Sequence, residues 1–457
     1  MRNEVAPAVA PAIAPARSLG IWRSWAFVVG GTIGSAIFMM PAVLVPYGGL
    51  GLLSWAAAAV GALCVAMTFA SLARRVSTTG GPYSYAHAAF GDFGGFVVAW
   101  LYWIALWVAC AAITIGFTAY LGALLPAVRA SPVLSVGAGL LLVWTLVGVN
   151  IAGVRQSGIV GLVTTLLKLS PLVVIGTAGL WFVDRTILPP MNPGTGSSLL
   201  LFASAFTLTF WTFGGLESIT VPSEDVIDPA RTIPRALVTG TATVAVIYLL
   251  VTFVVSGVVP AAALKASAAP LAEAGVRMGG YWGGIAVTLG ALVSTLGCLN
   301  ANLLAVSQAA MAAARDGVFP HQLDRLTARH TPGRSLVVVG LLISAMLVMN
   351  YTKGMVGAYT FMLLLATLAL VVPYAFSALA ALVLEARAPE ANTWRRAREA
   401  AVAMVAFAVC IWVIAAAGQE TVYWGFLLLM AGLPVYVLMA RRREALAALA
   451  AARHPEA

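Results

Sequence analysis

Hydrophobic residues fill most of the chain in long runs that are separated by short polar segments. A helix needs about 20 apolar residues to cross a bilayer, and twelve runs approach or exceed that length. They predict membrane-spanning helices over residues 24–46, 51–73, 96–125, 133–153, 158–182, 199–221, 236–259, 281–313, 335–352, 357–385, 400–417 and 421–440. We therefore predict an all-α membrane protein, with tails at 1–23 and 441–457 around a membrane domain at 24–440.

Glycines and polar residues interrupt two of these predicted helices. The first contains the stretch Gly30–Ser35, and the sixth contains Phe213, Gly214 and Gly215, followed by Glu217. Unwound backbone survives in a membrane only when it is buried in protein or lines a wet cavity. The first stretch fits either a broken helix that holds a polar substrate or a small-residue face for close packing. The second stretch favours broken helices, in the two halves of an inverted repeat of five helices each.

The charged residues indicate how the chain is oriented. Only 9% of the residues are charged, against about 25% in a typical soluble protein. With the N-terminus inside, 20 of the 26 lysines and arginines lie in cytoplasmic segments and five on the opposite side. This bias predicts that both termini are cytoplasmic. It also explains the net charge of +10 without a nucleic-acid partner.

Lys168 is the remaining basic residue, and it lies inside the fifth predicted helix. It follows the predicted start of that helix by ten residues, or about 15 Å, which is near the midplane of the bilayer. A central charge costs at least ~2.5 kcal/mol, and snorkelling to an interface does not explain this depth. We therefore interpret Lys168 as a functional buried lysine, with unpaired carbonyls around Gly30–Gly34 as its natural partner.

Several other residues have two interpretations. Trp211, before the second interruption, is either a lid over a substrate or a packed core residue. Glu217 is either a proton site or a structural carboxylate that bonds to a neighbouring helix. Trp100, Tyr102 and Trp103 in the third predicted helix suggest an interfacial belt. Two residues of that helix lie deeper, where they either belong to the packed core or face a cavity, namely Trp107 and Cys110.

The sequence gives no sign of metal or enzyme chemistry. The four histidines fall outside the predicted helices, and the four cysteines lack metal-type spacing. We therefore expect no cofactor and no enzymatic activity. A membrane sensor remains an alternative of another class, although the chain has no long soluble output domain.

Five motifs together resemble the APC superfamily of amino acid/polyamine/organocation transporters. They are GGTIGSAIFMMPA (30–42), GGPYSYAHAAFG (80–91), FWTFGGLES (210–218), EDVIDPARTIPRA (224–236) and AAARDGVFP (312–320). The likeness covers residues 20–440, and it is strongest to the basic amino acid/polyamine antiporters of the superfamily, such as the arginine/agmatine type. The resemblance implies a LeuT-type fold of twelve helices with helices one and six broken, often assembled as a homodimer.

The resemblance also implies roles for individual residues. A substrate carboxylate would contact Ile33, Gly34 and Ser35. Its amine would be bordered by Trp211, Phe213 and Gly214. Glu217 would match the family's glutamate after the break in helix six.

Other positions depart from the arginine/agmatine type. Cys110 stands where those antiporters have an asparagine, Asn302 where they have a tryptophan, and Ala366 where they have a serine. These differences disfavour a guanidinium pocket. Lys168 instead resembles the lysine that replaces a sodium ion in proton-coupled and neutral amino acid carriers. That likeness favours sodium-independent transport and leaves proton coupling and exchange both open.

We therefore expect secondary active transport of amino acids across the inner membrane by alternating access, as antiport or with protons. The first alternative is an exchanger for a basic amino acid and its decarboxylated amine. The second alternative is a membrane sensor of amino acids that does not transport.

Overall fold

The computed structural model describes residues 19–76, 80–152, 158–194, 196–327, 331–349, 354–387 and 393–453, with backbone alone at 158–167, 354–355 and 443–453. In these ranges the chain is almost entirely helical. Its fifteen α-helices are α1 (Ile21–Thr32), α2 (Ala36–Val43), α3 (Gly48–Ala73), α4 (Pro82–Leu124), α5 (Pro126–Ala130), α6 (Pro132–Ile151), α7 (Gly158–Ala178), α8 (Ser198–Trp211), α9 (Pro229–Val258), α10 (Ala261–Ala266), α11 (Pro270–Arg315), α12 (Gly333–Met349), α13 (Gly354–Ala386), α14 (Thr393–Ala416) and α15 (Gln419–Arg453).

Ten helical segments of the described chain are long and apolar enough to cross a membrane. Two shorter apolar helices, Lys168–Phe182 and Gly333–Met349, fall where the fifth and ninth spans were predicted. The arrangement confirms the predicted all-α architecture of many apolar helices.

Helix ends differ most from the prediction where a glycine bends a longer helix. The third predicted span starts at residue 96, but α4 starts at Pro82 and bends at Gly91, which has φ 72°. The eighth starts at 281, but α11 starts at Pro270 and kinks at Gly279 and Gly280. Hydrophobicity marks only the length that crosses the bilayer, so it misses the more polar turns before each glycine.

Segments that were predicted to share the cytoplasmic side lie together. The Leu19 N–H donates to the Asp225 carbonyl at 3.0 Å, which ties the chain before α1 to the loop before α9. Arg75, after α3, pairs with Glu399 of α14 at 3.0 Å. These two contacts join segments that are distant in the chain, and the orientation of the termini stays a prediction.

The aromatic residues of α4 correct one prediction. Trp103 is buried inside the protein, with 9% of its surface exposed, so an interfacial belt is wrong for it. Trp107, which was predicted to lie deeper, is 6% exposed. Trp100 is half-buried, and its indole N–H donates to the Leu428 carbonyl at 2.8 Å. The physical reason is that α4 packs against both α11 and α13, which keeps this face away from lipid.

Candidate functional site at two helix interruptions

The first predicted interruption is present in the structure. Helix α1 ends at Thr32 and α2 begins at Ala36, and Ile33 between them is extended, with φ −78° and ψ 96°. Ser35 occupies the N-cap position of α2. The glycines and hydroxyl residues in this stretch favour helix ends over helix interiors, so the chain opens where the sequence predicts it.

The second interruption follows α8. That helix ends at Trp211, and Gly215 takes a left-handed conformation with φ 94° before the short 3₁₀ helix Leu216–Thr220. A residue with a side chain rarely adopts this conformation, so glycine is required at this turn.

The two interruptions touch each other. A Cβ atom added to Gly215 would lie 2.5 Å from the Gly31 carbonyl oxygen. The Ser218 hydroxyl donates to the Phe27 carbonyl at 3.0 Å, which adds a second link between the two segments. Broken helices and small-residue packing were alternative explanations for the first stretch, and the structure contains both.

Lys168 lies at the first interruption, as its depth predicts. Its side chain is buried, and its Nζ donates to the carbonyl oxygens of Gly30 and of Ile33, the latter at 2.9 Å. The Tyr248 hydroxyl donates to the neighbouring Thr32 carbonyl at 3.0 Å. Three carbonyl groups that the break leaves without helical partners are therefore satisfied by side chains of α7 and α9.

The other side of the same break presents backbone N–H groups in place of carbonyl groups. The first N–H groups of an α-helix have no acceptor within that helix, and in α2 these groups lie beside the break. The Phe38 N–H bonds back to the Ser35 carbonyl at 3.1 Å. The beginning of α2 carries the partial positive charge of its helix dipole, and the end of α8 carries a partial negative charge.

The residues expected to contact a carboxylate or an amine lie around this junction. Ser35 is buried, and the Tyr359 hydroxyl of α13 interacts with its side chain. Trp211 is half-buried at the end of α8. Phe213 packs its ring against Trp55 and Tyr248, with ring centroids 6.2 and 5.8 Å away. That packing leaves the backbone of Phe213 and Gly214, and not the phenyl ring, as the part that can border a ligand.

Two of the three positions aligned with the arginine/agmatine type were also candidate site residues, namely Cys110 and Asn302. Cys110 is fully buried in α4. The Asn302 amide donates to the Cys298 carbonyl at 2.9 Å, one turn earlier in α11. Cys298 was not predicted as a site residue, yet its Sγ lies 3.1 Å from where a Cβ of Gly34 would be. The sequence feature that could have identified Cys298 is its position four residues before Asn302, which places both residues on the same helix face.

Glu217 is held by groups from other parts of the chain. It is buried and accepts hydrogen bonds from the Tyr374 hydroxyl of α13 and from the Gly215 N–H, the latter at 3.1 Å. The Tyr102 hydroxyl of α4 also interacts with it. This geometry favours the structural carboxylate among the two interpretations of Glu217.

Replacing Glu217 tests that interpretation. Glu217→Gln retains an acceptor for Tyr374 and Gly215, so we expect its melting temperature to stay within a few degrees of the wild type. Glu217→Ala leaves buried donors unpaired, at roughly 1–3 kcal/mol each, and should lower the melting temperature clearly. Thermal unfolding of both purified variants checks this. If Glu217→Gln were as unstable as Glu217→Ala, the negative charge itself would be what the site needs.

Known proteins are similar to this chain over most of its length. The sequence profile of the amino acid permease family matches residues 19–440. The arginine/ornithine antiporter of Pseudomonas aeruginosa is 30% identical over 418 residues, which cover 86% of this chain and 85% of the antiporter. The putrescine transporter PotE of Escherichia coli is 27% identical over 430 residues, which cover 94% and 98% of the two chains.

A third relative is also similar over most of its length. The cadaverine/lysine antiporter of Escherichia coli is 29% identical over 337 residues, which cover 73% of this chain and 75% of the relative. The family profile extends across both helix interruptions and nine of the ten long apolar segments, and it ends two residues before the end of the tenth. The chain therefore belongs to the amino acid permease family, within the APC superfamily that its motifs resemble.

Proposed function

We propose that this protein carries amino acids across the membrane by secondary active transport and binds its substrate where the two interruptions meet. The observation that carries the proposal is the division of polar groups at the first break. Lys168 and Tyr248 occupy its carbonyl groups. On the amide side the Phe38 N–H bonds to the Ser35 carbonyl, and the N–H groups of Ala36 and Ile37 precede the first complete turn of α2, so they have no acceptor within that helix. A break organised in this way offers mainly hydrogen-bond donors.

The charges at the junction suit an amino acid. The start of α2 favours an anion such as a carboxylate, and the end of α8 favours an ammonium group. An amino acid carries both groups on one carbon atom. A diamine has no carboxylate and would leave the donors of α2 without a ligand.

The proposal includes the LeuT-type arrangement that the motifs imply. Helices α1–α7 would form one half of an inverted repeat and α8–α13 the other, with α14 and α15 outside it. Transport would follow alternating access around a fixed central site. Both termini would be cytoplasmic, and the protein would assemble as a homodimer.

Lys168 would act as the resident cation of the site. Its ammonium holds the Gly30 and Ile33 carbonyls, which are the kind of groups that coordinate a sodium ion at broken helices. Transport would therefore be independent of sodium. Protons would be the coupling ion if net uptake is driven by a gradient.

A second candidate is exchange of a basic amino acid for its decarboxylated amine. The names of the three relatives favour it, since they transport arginine and ornithine, putrescine, or cadaverine and lysine. The pocket residues do not favour it, because Asn302 bonds within its own helix and Cys110 carries no charge.

Counterflow in liposomes tests both candidates. Purified protein is reconstituted in liposomes loaded in turn with each amino acid, agmatine, cadaverine or putrescine, and entry of the matching labelled compound is followed. Entry with neutral amino acids supports the first candidate. Entry only with basic amino acids or their amines supports the second. No entry with any of them would overturn both.

Trp211 gives a prediction for the bound state. We expect Trp211→Ala to weaken substrate binding about tenfold, or roughly 1.4 kcal/mol, because an aromatic face beside the break is lost. Isothermal titration of the purified variant with its transported substrate measures this. Trp424→Ala, at a partly exposed tryptophan of α15, is the matched control. Unchanged binding in Trp211→Ala and in Ser35→Ala would argue against this location of the site.

A further inference from the structure

A groove lies on the side of the bundle that holds the predicted cytoplasmic loops, and none of its lining residues belongs to the two interruptions. It has a volume of about 470 Å³ and opens between α3, α9 and α14. Its lining residues are Met67, Ala70, Ser71, Arg74, Pro234, Val238, Arg395, Arg398, Glu399 and Val402. We call it the arginine groove.

Positive charge dominates the mouth of the arginine groove. Arg74, Arg395 and Arg398 line it, and Arg75 lies beside them, paired with the buried Glu385. Glu399 is the one carboxylate among the lining residues. An excess of positive charge at the cytoplasmic end of membrane helices is the chemistry that attracts anionic lipid headgroups.

The groove's own carboxylate does not neutralise this excess. Glu399 already accepts from Ser71 at 2.8 Å, from Arg74 at 2.8 Å, and from Arg75 and Arg395 at 3.0 Å. Four donors saturate its two oxygens. Arg398 is exposed and has no ion pair or hydrogen bond with the part of the chain that the structure describes. Its guanidinium is therefore available to an outside anion.

The wall of the groove below the arginines is apolar. Met67 precedes Arg74 by seven residues, or about 10 Å along α3, which reaches the depth of lipid acyl chains. Val238 and Val402 form the other walls and are half-buried. Trp394 is 73% exposed one turn before Arg398, a position typical of a residue at the membrane interface.

We propose that the arginine groove binds an anionic phospholipid of the cytoplasmic leaflet. Arg74, Arg395 and Arg398 hold the phosphate of its headgroup, and one acyl chain lies along the apolar wall. The lipid then links α14, which lies outside the proposed repeat, to α3 and α9 within it. A zwitterionic lipid offers the same chain but cancels its own phosphate charge, so it binds more weakly.

Lipid titration of the purified full-length protein tests this proposal. Phosphatidylglycerol or phosphatidylcholine with identical acyl chains is added in detergent, and thermal unfolding is followed to give an apparent Kd. We expect phosphatidylglycerol to bind more tightly. An arginine near anionic lipid contributes about fivefold in affinity, so Arg395→Gln with Arg398→Gln should weaken binding roughly 25-fold.

Matched variants separate the groove from general charge. Arg315→Gln with Arg441→Gln removes two exposed arginines from the same side and should leave the apparent Kd unchanged. Arg398→Gln alone keeps the Glu399 ion pairs and should weaken binding about fivefold. Val402→Trp keeps every arginine but fills the apolar wall, and should weaken binding of the lipid as well.

Three results would overturn the proposal. Equal binding of phosphatidylcholine and phosphatidylglycerol would show that the groove does not distinguish lipids by the net charge of their headgroups. Equal weakening by the control pair Arg315→Gln and Arg441→Gln would show that the arginine groove is not the site. Inorganic phosphate or glycerol 3-phosphate that stabilises the protein as much as the lipid would identify a free anion as the ligand.

Discussion

Replacing Lys168 with alanine is expected to reduce transport in proteoliposomes by at least about 30-fold. The side chain is buried, and its Nζ satisfies the carbonyl groups of Gly30 and Ile33. Without it, two buried carbonyl oxygens lose their hydrogen-bond donor, which costs roughly 1–3 kcal/mol for each oxygen. The lower value for both oxygens is about 2 kcal/mol, which corresponds to about a 30-fold change in an equilibrium constant. The measurement is initial uptake of labelled substrate per folded protein, with folding followed by thermal unfolding.

Two further variants make this result interpretable. Lys265→Ala removes an exposed lysine of α10 and should leave uptake unchanged. Lys168→Arg keeps the positive charge but replaces a compact ammonium with a planar group, so it should retain less than full activity. Full uptake driven by a pH gradient in Lys168→Ala would show that transport does not need this lysine, and would overturn its proposed role as the resident cation of the site.

The site could be predicted from the sequence where a single residue is energetically unfavourable at its position. A lysine near the bilayer midplane and glycines inside an apolar run are each unfavourable unless something compensates, so Lys168 and Gly30–Gly34 could be paired before any coordinates. The structure joins them by hydrogen bonds. This pairing is predictable because the energetic penalty is local and a membrane offers few possible partners.

Partners that are distant in the chain could not be found in this way. Glu217 and Tyr374 are 157 residues apart, and nothing local in either apolar helix links them. Cys298 reaches Gly34 only because α11 packs beside the first break. The true start of α11 was also missed, because the helix continues across Gly279 and Gly280 outside the apolar run. Tertiary packing decides these features, and hydrophobic periodicity does not record it.

The contact between the two interruptions makes Gly215 the most sensitive glycine of the site. Gly215→Ala should lower the free energy of unfolding by more than about 3 kcal/mol and reduce transport to background. The residue has φ 94°, a conformation that strains alanine, and its new Cβ would lie 2.5 Å from the Gly31 carbonyl oxygen. The main-chain oxygen of a packed helix cannot rotate away as a side chain can. The α8 turn would have to move off α1, and the proposed site would open.

Two other glycine variants should lose less stability than Gly215→Ala. In Gly31→Ala the nearest atom would be the Ser218 hydroxyl at 2.6 Å and the nearest main-chain atom the Gly215 carbonyl oxygen at 3.0 Å, farther than in Gly215→Ala, so we expect a smaller loss. Gly148→Ala, on an exposed face of α6 with nothing within 4 Å, should change stability by at most about 1 kcal/mol. Thermal unfolding and substrate binding of the three variants test the order. Wild-type stability and full transport in Gly215→Ala would mean that the site does not depend on contact between the two breaks.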